Sequence, residues 1–333
     1  MTQQALQTPT RSAPSGALCA TLPDGRTHFQ HGPIDLIIGA EGNPDAVNVA
    51  LERAWERFSQ ILPELVTELK ALRQPISNTS RPHSSFHSPV AQRMFAAGWH
   101  HRAQFVTPMA AVAGSVADEV LAALLGKPAT TASDGANSGS SMSGSGVNVN
   151  RQADFTRAYV NNGGDIALHL ATGQHYTVGL LSNPEAIHVE GNGLAVDGRF
   201  TITPEMGIGG IATSGWRGRS QSLGIADSVT VFASQAAQAD VAATLIANQV
   251  NVSHDVIERA PANTLKDDAD LGDLPVTVAV GPLPPEAIKQ ALDAGEAEAR
   301  AMFEQGAILG AVLVLQGQAR FILPQTSAAN VLN

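Results

Sequence analysis

Several residue types are scarce in this chain, and each scarcity excludes a class of protein. One cysteine, Cys19, occurs among 333 residues, so neither an internal disulfide nor a cysteine-based zinc cluster can form. No apolar run reaches the about 18 residues that a bilayer span needs. The N-terminal residues contain no apolar stretch of signal-peptide length. We therefore expect a cytoplasmic protein whose single thiol is inert.

Positive charge is also in short supply. Lys and Arg number 20 against 30 Asp and Glu, which gives a net charge of -10. An acidic surface is repelled by nucleic acid and by anionic membranes, so we expect neither as a partner. Apolar residues make up 44% and aromatic residues 5%, enough for a core that packs closely around small side chains. The composition is compatible with a small-molecule ligand and with a homo-oligomer.

The chain changes character along its length. Residues 1–24 are rich in Thr, Gln, Pro and Ser and predict a flexible N-terminal arm. Residues 25–325 predict a single domain, with a long helix whose apolar residues recur every three or four positions and which Pro63 kinks or splits. The Gly/Ser/Asn-rich segment 130–150 predicts a loop, either a surface insertion or an active-site lid.

After this loop, short apolar segments separated by Gly, Asn and Asp predict successive strands. Ser228–Ala233 predicts a further strand, and an Ala-rich helix follows it. Strands joined by tight turns favour antiparallel pairing, and helices of this kind cover one face of such a sheet. The sequence therefore predicts an α+β fold with mostly antiparallel sheets and packed helices.

Two oxygen-bearing side chains lie on the Ala-rich helix. Asp240 and Thr244 are four positions apart, which places a carboxylate and a hydroxyl on one helical face, a turn apart. Hard oxygen donors of this kind suit Mg²⁺ and its phosphate-bearing ligands. The alternative interpretation is a solvated helix face.

A glycine pair precedes a third acidic residue. In the segment Asn-Asn-Gly-Gly-Asp, Gly163 and Gly164 let the main chain approach a ligand and present amide groups to it. Asp165 is then placed to accept from the ligand or to face a metal. An ordinary hairpin turn is the alternative for this segment.

Basic and aromatic residues supply further candidates. His101, in a His-His-Arg run, is a candidate general acid or base or a phosphate clamp, unless it caps a solvated helix end. Trp216 and Arg217 follow a Thr-Ser-Gly turn and could stack on a planar ring and pair with an anion. Plain surface packing is the alternative for them.

These segments, in this order, resemble the motifs of the ApbE family, the Mg²⁺-dependent FAD:protein FMN transferases. That family has a helix reading D-x-G-A-I-A-K-G-Y-A-V-D, a GGD turn, a T/S-S-G turn and an S-V-T-V strand followed by A-D-A-x-A-T. The matching segments here are Ala110–Asp118, Asn162–Ile166, Ala212–Gly215, Ser228–Val231, and Ala239, Asp240, Ala243 and Thr244.

The resemblance implies an ApbE-like fold with Mg²⁺ near the diphosphate of a flavin nucleotide, FAD or FMN. Asp240 and Thr244 would be side-chain ligands of the metal, and a main-chain carbonyl at or near Ala110 would be a third ligand. Gly163, Gly164 and Asp165 would border the nucleotide, and the residues in contact with it would be Thr213, Ser214, Gly215 and Trp216. In a catalytic protein, Asp165, Arg217 and His101 would act at the ligand or balance its charge.

The chain departs from the family pattern after Gly215. The transferases carry a longer insert there that ends in H-x-I-D-P-x-T-G, whereas this sequence has only the eleven residues WRGRSQSLGIA before Asp227. Ala113 also replaces the lysine before the helix glycine. The shortened pattern is similar to an uncharacterised branch of ApbE-like proteins. It leaves open a flavin-binding enzyme, an enzyme acting on a non-flavin metabolite and a non-catalytic binding protein.

Overall fold

The computed structural model describes residues 11–77, 86–127, 155–180, 189–190, 193–194, 198–218, 220–267 and 269–323. The predicted loop at 130–150 lies outside the described residues. Contacts divide the chain into two compact units, Met1–Gln174 and His175–Asn333, where the sequence predicted one domain over 25–325. Each unit combines antiparallel strands with helices.

The described part of the first unit contains six strands, which pair in chain order. They are β1 (Arg11–Ser12), β2 (Leu18–Thr21), β3 (Thr27–His31), β4 (Ile34–Gly42), β5 (Phe155–Asn162) and β6 (Asp165–Leu170). Each pairs with the next in antiparallel fashion. The flexible arm predicted for residues 1–24 is therefore wrong over its second half. Ala17 and Ala20 are buried there, and their small side chains gave no apolar alternation from which to predict a strand.

Between β4 and β5, the described residues of this unit form three helices. They are α1 (Pro44–Leu72), α2 (Pro89–Trp99) and α3 (Val112–Leu124), and a 3-10 turn (Pro108–Ala111) leads into α3. Asn43 starts α1, because its side chain accepts from the amides of Asp45 and Ala46 at 3.0 and 3.2 Å. Pro63 does not split α1, which continues past this residue as one helix. The split is therefore wrong, and the kink stays a prediction.

The core of the first unit lies between α1 and the strands. Phe29 of β3 packs against Trp55 and Phe58 of α1, with ring centroids 5.2 Å apart in both pairs. All three rings are buried. The apolar stripe predicted for this helix therefore faces the sheet, and α3 packs on β5 and β6 beside it.

Ten strands, all in antiparallel pairs, lie in the part of the second unit that the structure describes. The series β11 (Gly210–Ser214), β12 (Ser228–Ala233), β15 (Gly310–Leu315) and β16 (Gln318–Ile322) pairs in that order. Three two-stranded pairs complete the set: β7 (Tyr176–Leu180) with β10 (Gly198–Ile202), β8 (Val189–Glu190) with β9 (Gly193–Leu194), and β13 (Ile257–Pro261) with β14 (Pro275–Val280). The α+β class with mostly antiparallel strands is confirmed.

Helices α4 (Ala236–Gln249), α5 (Ala262–Leu265) and α6 (Pro285–Glu304) belong to the second unit. The first of these packs on β11 and β12, and its alanines allow a very close approach. A Cβ atom built on Gly210 would lie 2.1 Å from the backbone nitrogen of Ala236, so only glycine fits there. Among the described helices of both units, none is long and apolar enough to cross a membrane.

Candidate functional site

The Asn-Asn-Gly-Gly-Asp segment forms the tight turn between β5 and β6. Asn162 pairs with Asp165 across a two-residue loop, and Gly163 and Gly164 adopt φ of 67° and 117°. Positive φ at both central residues is what such hairpin loops require, and glycine adopts it without strain. The hairpin interpretation is thus confirmed. Both glycines are exposed, so the turn remains accessible to a ligand.

Hydrogen bonds hold this turn in place. The Gly164 amide donates to Asn161 Oδ1 at 2.8 Å, so this donor is already used within the turn. The Asn162 side-chain amide donates to the carbonyl oxygen of Ala113 at 3.1 Å. That bond joins the hairpin to the first turn of α3. Asp165 begins β6 in a half-buried position.

The residues before α3 carry two further predicted positions. Ala110 is half-buried in the 3-10 turn, and its amide donates to the Thr107 carbonyl at 3.2 Å. His101 follows the end of α2. Burial and then the neighbouring His100 lower the pKa of His101 below its ordinary value. A neutral imidazole suits a general base better than a cationic phosphate clamp.

In the second unit, Thr213 and Ser214 are the last two residues of β11, so the segment predicted as a Thr-Ser-Gly turn is strand up to Ser214. Thr213 is exposed, and its hydroxyl lies 2.9 Å from that of Thr230 on β12. Ser214 is half-buried and pairs with Val229. Gly215 is required by close packing, because a Cβ atom there would lie 2.4 Å from the carbonyl oxygen of Asp227.

Trp216 and Arg217 interact with each other and with Asp227, a residue that the sequence reasoning missed. The Arg217 guanidinium lies 4.4 Å from the centroid of the Trp216 ring. Asp227 Oδ1 accepts from the indole of Trp216 at 3.3 Å and lies 3.5 Å from Arg217 Nε. The ring and the cation are thus oriented by one carboxylate. In the sequence, the feature that could have revealed Asp227 was its position directly before the predicted strand 228–233.

Asp240 and Thr244 lie in the middle of α4, and both are half-buried. Their spacing places them on one face, as predicted. The helix packs on the strand that carries Thr213. Within the described part of the chain, no three His, Cys, Asp or Glu side chains gather closely enough to hold a metal ion. A cation at this pair would therefore need water, main-chain or ligand oxygens, which is how Mg²⁺ usually binds.

The predicted site residues thus fall into two sets, one in each unit. His101, Ala110, Gly163, Gly164 and Asp165 belong to the first unit. The second unit carries Thr213, Ser214, Gly215, Trp216, Arg217, Asp240 and Thr244. That the two sets meet around one ligand stays a prediction.

Cavities also occur among the described residues of the first unit, away from these site residues. One of about 700 Å³ lies at the start of α1, beside Gly42, Asn43 and Thr156. Another of about 360 Å³ lies between Cys19 and Trp55. Burial raises the pKa of the Cys19 thiol, which keeps it neutral at pH 7 and agrees with an inert thiol.

The described elements define an α+β protein with antiparallel strands, and the comparison with known families narrows this class. A family model described as "AbpE bacteria" matches residues 19–139 and 145–321, most of the chain. The chain belongs to this family, which confirms the resemblance to ApbE proteins drawn from the four motifs.

Several relatives carry the name UPF0280 protein. The one from Methanosphaerula palustris is 28% identical over 235 residues, which cover 68% of this chain and 77% of the relative. That from Methanospirillum hungatei is 31% identical over 208 residues, 62% of this chain and 69% of the relative. The match to the protein of Methanothermobacter thermautotrophicus is 35% identical over 151 residues but spans 45% of each chain.

Among solved structures, the crystal structure of an ApbE protein from Thermotoga maritima covers 94% of this chain and 98% of its own. Its sequence identity is 11% and its TM-score 0.39. At that TM-score the likeness carries no weight for the site.

Proposed function

We propose that this protein binds a flavin nucleotide, FAD or FMN, or another small anionic ligand together with Mg²⁺. We further propose that it is an enzyme, a metal-assisted transferase or hydrolase acting in the cytoplasm. The observation that carries the proposal is the half-buried pair of Asp240 and Thr244 on one face of α4. The carboxylate supplies charge and the hydroxyl a second oxygen, the donor types that Mg²⁺ prefers. When bound, the ion would stabilise negative charge on phosphate oxygens.

Trp216 and Arg217 support an anionic, planar ligand. The half-buried indole offers an aromatic face, and the exposed guanidinium above it offers paired donors. Because Asp227 holds both groups, a ligand anion would compete with this carboxylate for Arg217. Asp165 is proposed to lie at the ligand, and His101 is the proposed general base, a role that a neutral imidazole fits.

We do not propose that this protein transfers FMN to other proteins as the standard flavinyltransferases do. The segment that replaces the H-x-I-D-P-x-T-G insert is short and closely attached to its surroundings. Asn248 Oδ1, at the end of α4, accepts from the Leu223 amide at 2.9 Å. Asp227 holds the opposite end through Trp216 and Arg217. The same departure favours a second candidate function, an enzyme on this scaffold that acts on a non-flavin small metabolite.

Thermal unfolding with FMN, FAD and a panel of small phosphorylated and carboxylic metabolites tests the proposal. Each compound is measured with MgCl₂ and with EDTA. A ligand present at about 100 times its Kd stabilises the folded protein by about 2.7 kcal/mol. We expect FMN or FAD to raise the melting temperature only when Mg²⁺ is present.

Variants then localise the effect. Asp240→Ala and Thr244→Val should abolish the Mg²⁺-dependent shift, whereas Asp255→Ala, which changes an exposed carboxylate of the same unit, should keep it. An equal shift in all variants would overturn the metal assignment. A shift with a non-flavin metabolite alone would favour the second candidate. Indifference to all of the compounds, together with a stable complex with another protein, would favour a non-catalytic binding protein.

A further inference from the structure

The hairpin tip of the first unit obtains little support from packing. A Cβ atom built on Gly164 would meet no described atom within 4 Å, and both glycines of the tip are exposed. The position of the glycine pair therefore depends on hydrogen bonds. Within the turn, the Gly164 amide is bonded to Asn161, which fixes its shape but does not attach it to the rest of the unit.

Asn162 attaches the tip to a helix. Its side chain is 6% exposed, and its amide donates to the Ala113 carbonyl in the first turn of α3. Asn162 is also the residue that pairs with Asp165 across the turn. A displacement of Asn162 would therefore move the Asp165 backbone with it.

The helix that receives this bond is itself firmly anchored. Glu119 of α3 is 2% exposed and accepts from Arg57 of α1 at 2.7 Å and from Arg93 of α2 at 2.9 Å. Arg93 also donates to the Ser115 carbonyl at 3.2 Å. Charge-assisted hydrogen bonds from two half-buried arginines to a buried carboxylate have well-defined geometry, so α3 offers a fixed support for the hairpin.

We propose that Asn162 is a positioning residue, which holds the Gly163–Gly164 turn against α3 and so orients Asp165 towards the ligand. Its effect on ligand affinity rests on the function proposed above. Its effect on the turn does not depend on any ligand.

The test compares Asn162→Ala and Asn162→Asp with the control Ser88→Ala. Ser88 lies in the same unit, is also 6% exposed, and accepts one hydrogen bond from the Ala91 amide at 3.0 Å. Each change removes one buried hydrogen bond. Asn162→Asp keeps the size of the side chain and lacks the donor. Hydrogen exchange of peptides covering 160–168 is measured without ligand, and calorimetry measures FMN binding with Mg²⁺.

We expect amide exchange at Gly164 and Asp165 to rise about tenfold in both Asn162 variants, as loss of one buried hydrogen bond predicts. Ser88→Ala should match the wild type at these amides while losing a similar amount of thermal stability. FMN affinity should fall about tenfold in the Asn162 variants alone.

Unchanged exchange in Asn162→Ala, or an equal rise in Ser88→Ala, would overturn the positioning role. Faster exchange with wild-type FMN affinity would overturn its part in ligand binding. If the wild-type protein binds no FMN, the FMN part of the proposed function fails, and the exchange result alone still decides whether Asn162 holds the turn.

Discussion

Asp227 Oδ2 accepts a 2.6 Å hydrogen bond from the backbone nitrogen of Gln316, a residue 89 positions further along the chain. Gln316 lies in the tight turn between β15 and β16 with φ of 44°, a conformation that non-glycine residues rarely adopt. Its side chain donates to the Gly281 carbonyl at 2.8 Å and accepts from the Leu283 amide at 3.0 Å. Asp227 therefore connects the Trp216–Arg217 stack to a strained turn that these bonds hold.

Replacing Asp227 by asparagine should destabilise the protein. Its partners, Trp216 Nε1, Arg217 Nε and the Gln316 backbone nitrogen, are all donors, so a side-chain amide would point its own donor at one of them. Loss of a charged acceptor in this setting costs about 1–3 kcal/mol. Urea unfolding measures the change, and Asp255→Asn at an exposed position should stay within about 0.5 kcal/mol of wild type. Equal losses in both variants would refute the connecting role.

Glu119→Gln should be more damaging than Glu64→Gln. Both carboxylates pair with Arg57, but Glu119 is 2% exposed and Glu64 is 33% exposed at the side chain. Removing the buried charge leaves Arg57 and Arg93 without their common partner, which costs about 3–5 kcal/mol. The partly solvated pair should contribute up to about 1 kcal/mol.

Glu64 and Glu119 have the same functional group and pair with the same arginine. The difference in unfolding free energy between the two glutamine variants therefore reports how far each carboxylate is buried. Chemical denaturation of both proteins side by side measures it. If Glu64→Gln were as destabilising as Glu119→Gln, the buried carboxylate would not be the anchor of α3.

The features that the sequence predicted well are those encoded by local spacing. Asp240 and Thr244 share a helical face because they are four residues apart, and the NNGGD segment turns because two glycines accept positive φ. The motif order also identified the family correctly. Each of these depends on neighbours in the chain, which a single sequence displays.

The missed features depend on partners that are distant in the chain. In the sequence, Glu119 is a polar residue in a largely apolar helix. Its burial is possible because Arg57 and Arg93, which lie 62 and 26 positions away, bind its carboxylate. Asp227 gains its role from Gln316. Strand β2 was missed because its Leu-Cys-Ala-Thr segment is short. This segment is ordered as a strand through its pairing with β3.

Gly224→Ala should destabilise the second unit strongly. A Cβ atom there would lie 1.9 Å from the Ala247 carbonyl oxygen and 2.9 Å from that of Val250, both at the end of α4. Overlap with backbone atoms cannot be relieved by rotating a side chain. We therefore expect the free energy of unfolding to fall by about 1–3 kcal/mol or more. Gly218→Ala in the same segment meets its nearest atom at 3.2 Å and should cost much less. Comparable melting temperatures for the two variants would contradict the close approach.

Stability should fall as the pH is lowered from 7.5 to 5.5. Burial, and then the charge of His100, lowers the pKa of His101, while burial and then Lys127 lower that of His169. The ordinary imidazole pKa is about 6.5, so the unfolded chain takes up protons before the folded one does. By linkage, folding free energy is lost as the pH falls through the unfolded value, and the loss ends below the folded value.

The double variant His101→Gln/His169→Gln separates these two imidazoles from the carboxylates, which titrate at lower pH. Urea midpoints of wild type and double variant, measured every half pH unit, should differ by a constant amount above pH 7.5. Between pH 7 and 5.5 the midpoint of the wild type should fall relative to that of the double variant, because only the wild type loses stability through these groups. Parallel curves over the whole range would mean that neither imidazole is held neutral by the fold, and His101 would then lose its claim to the base role.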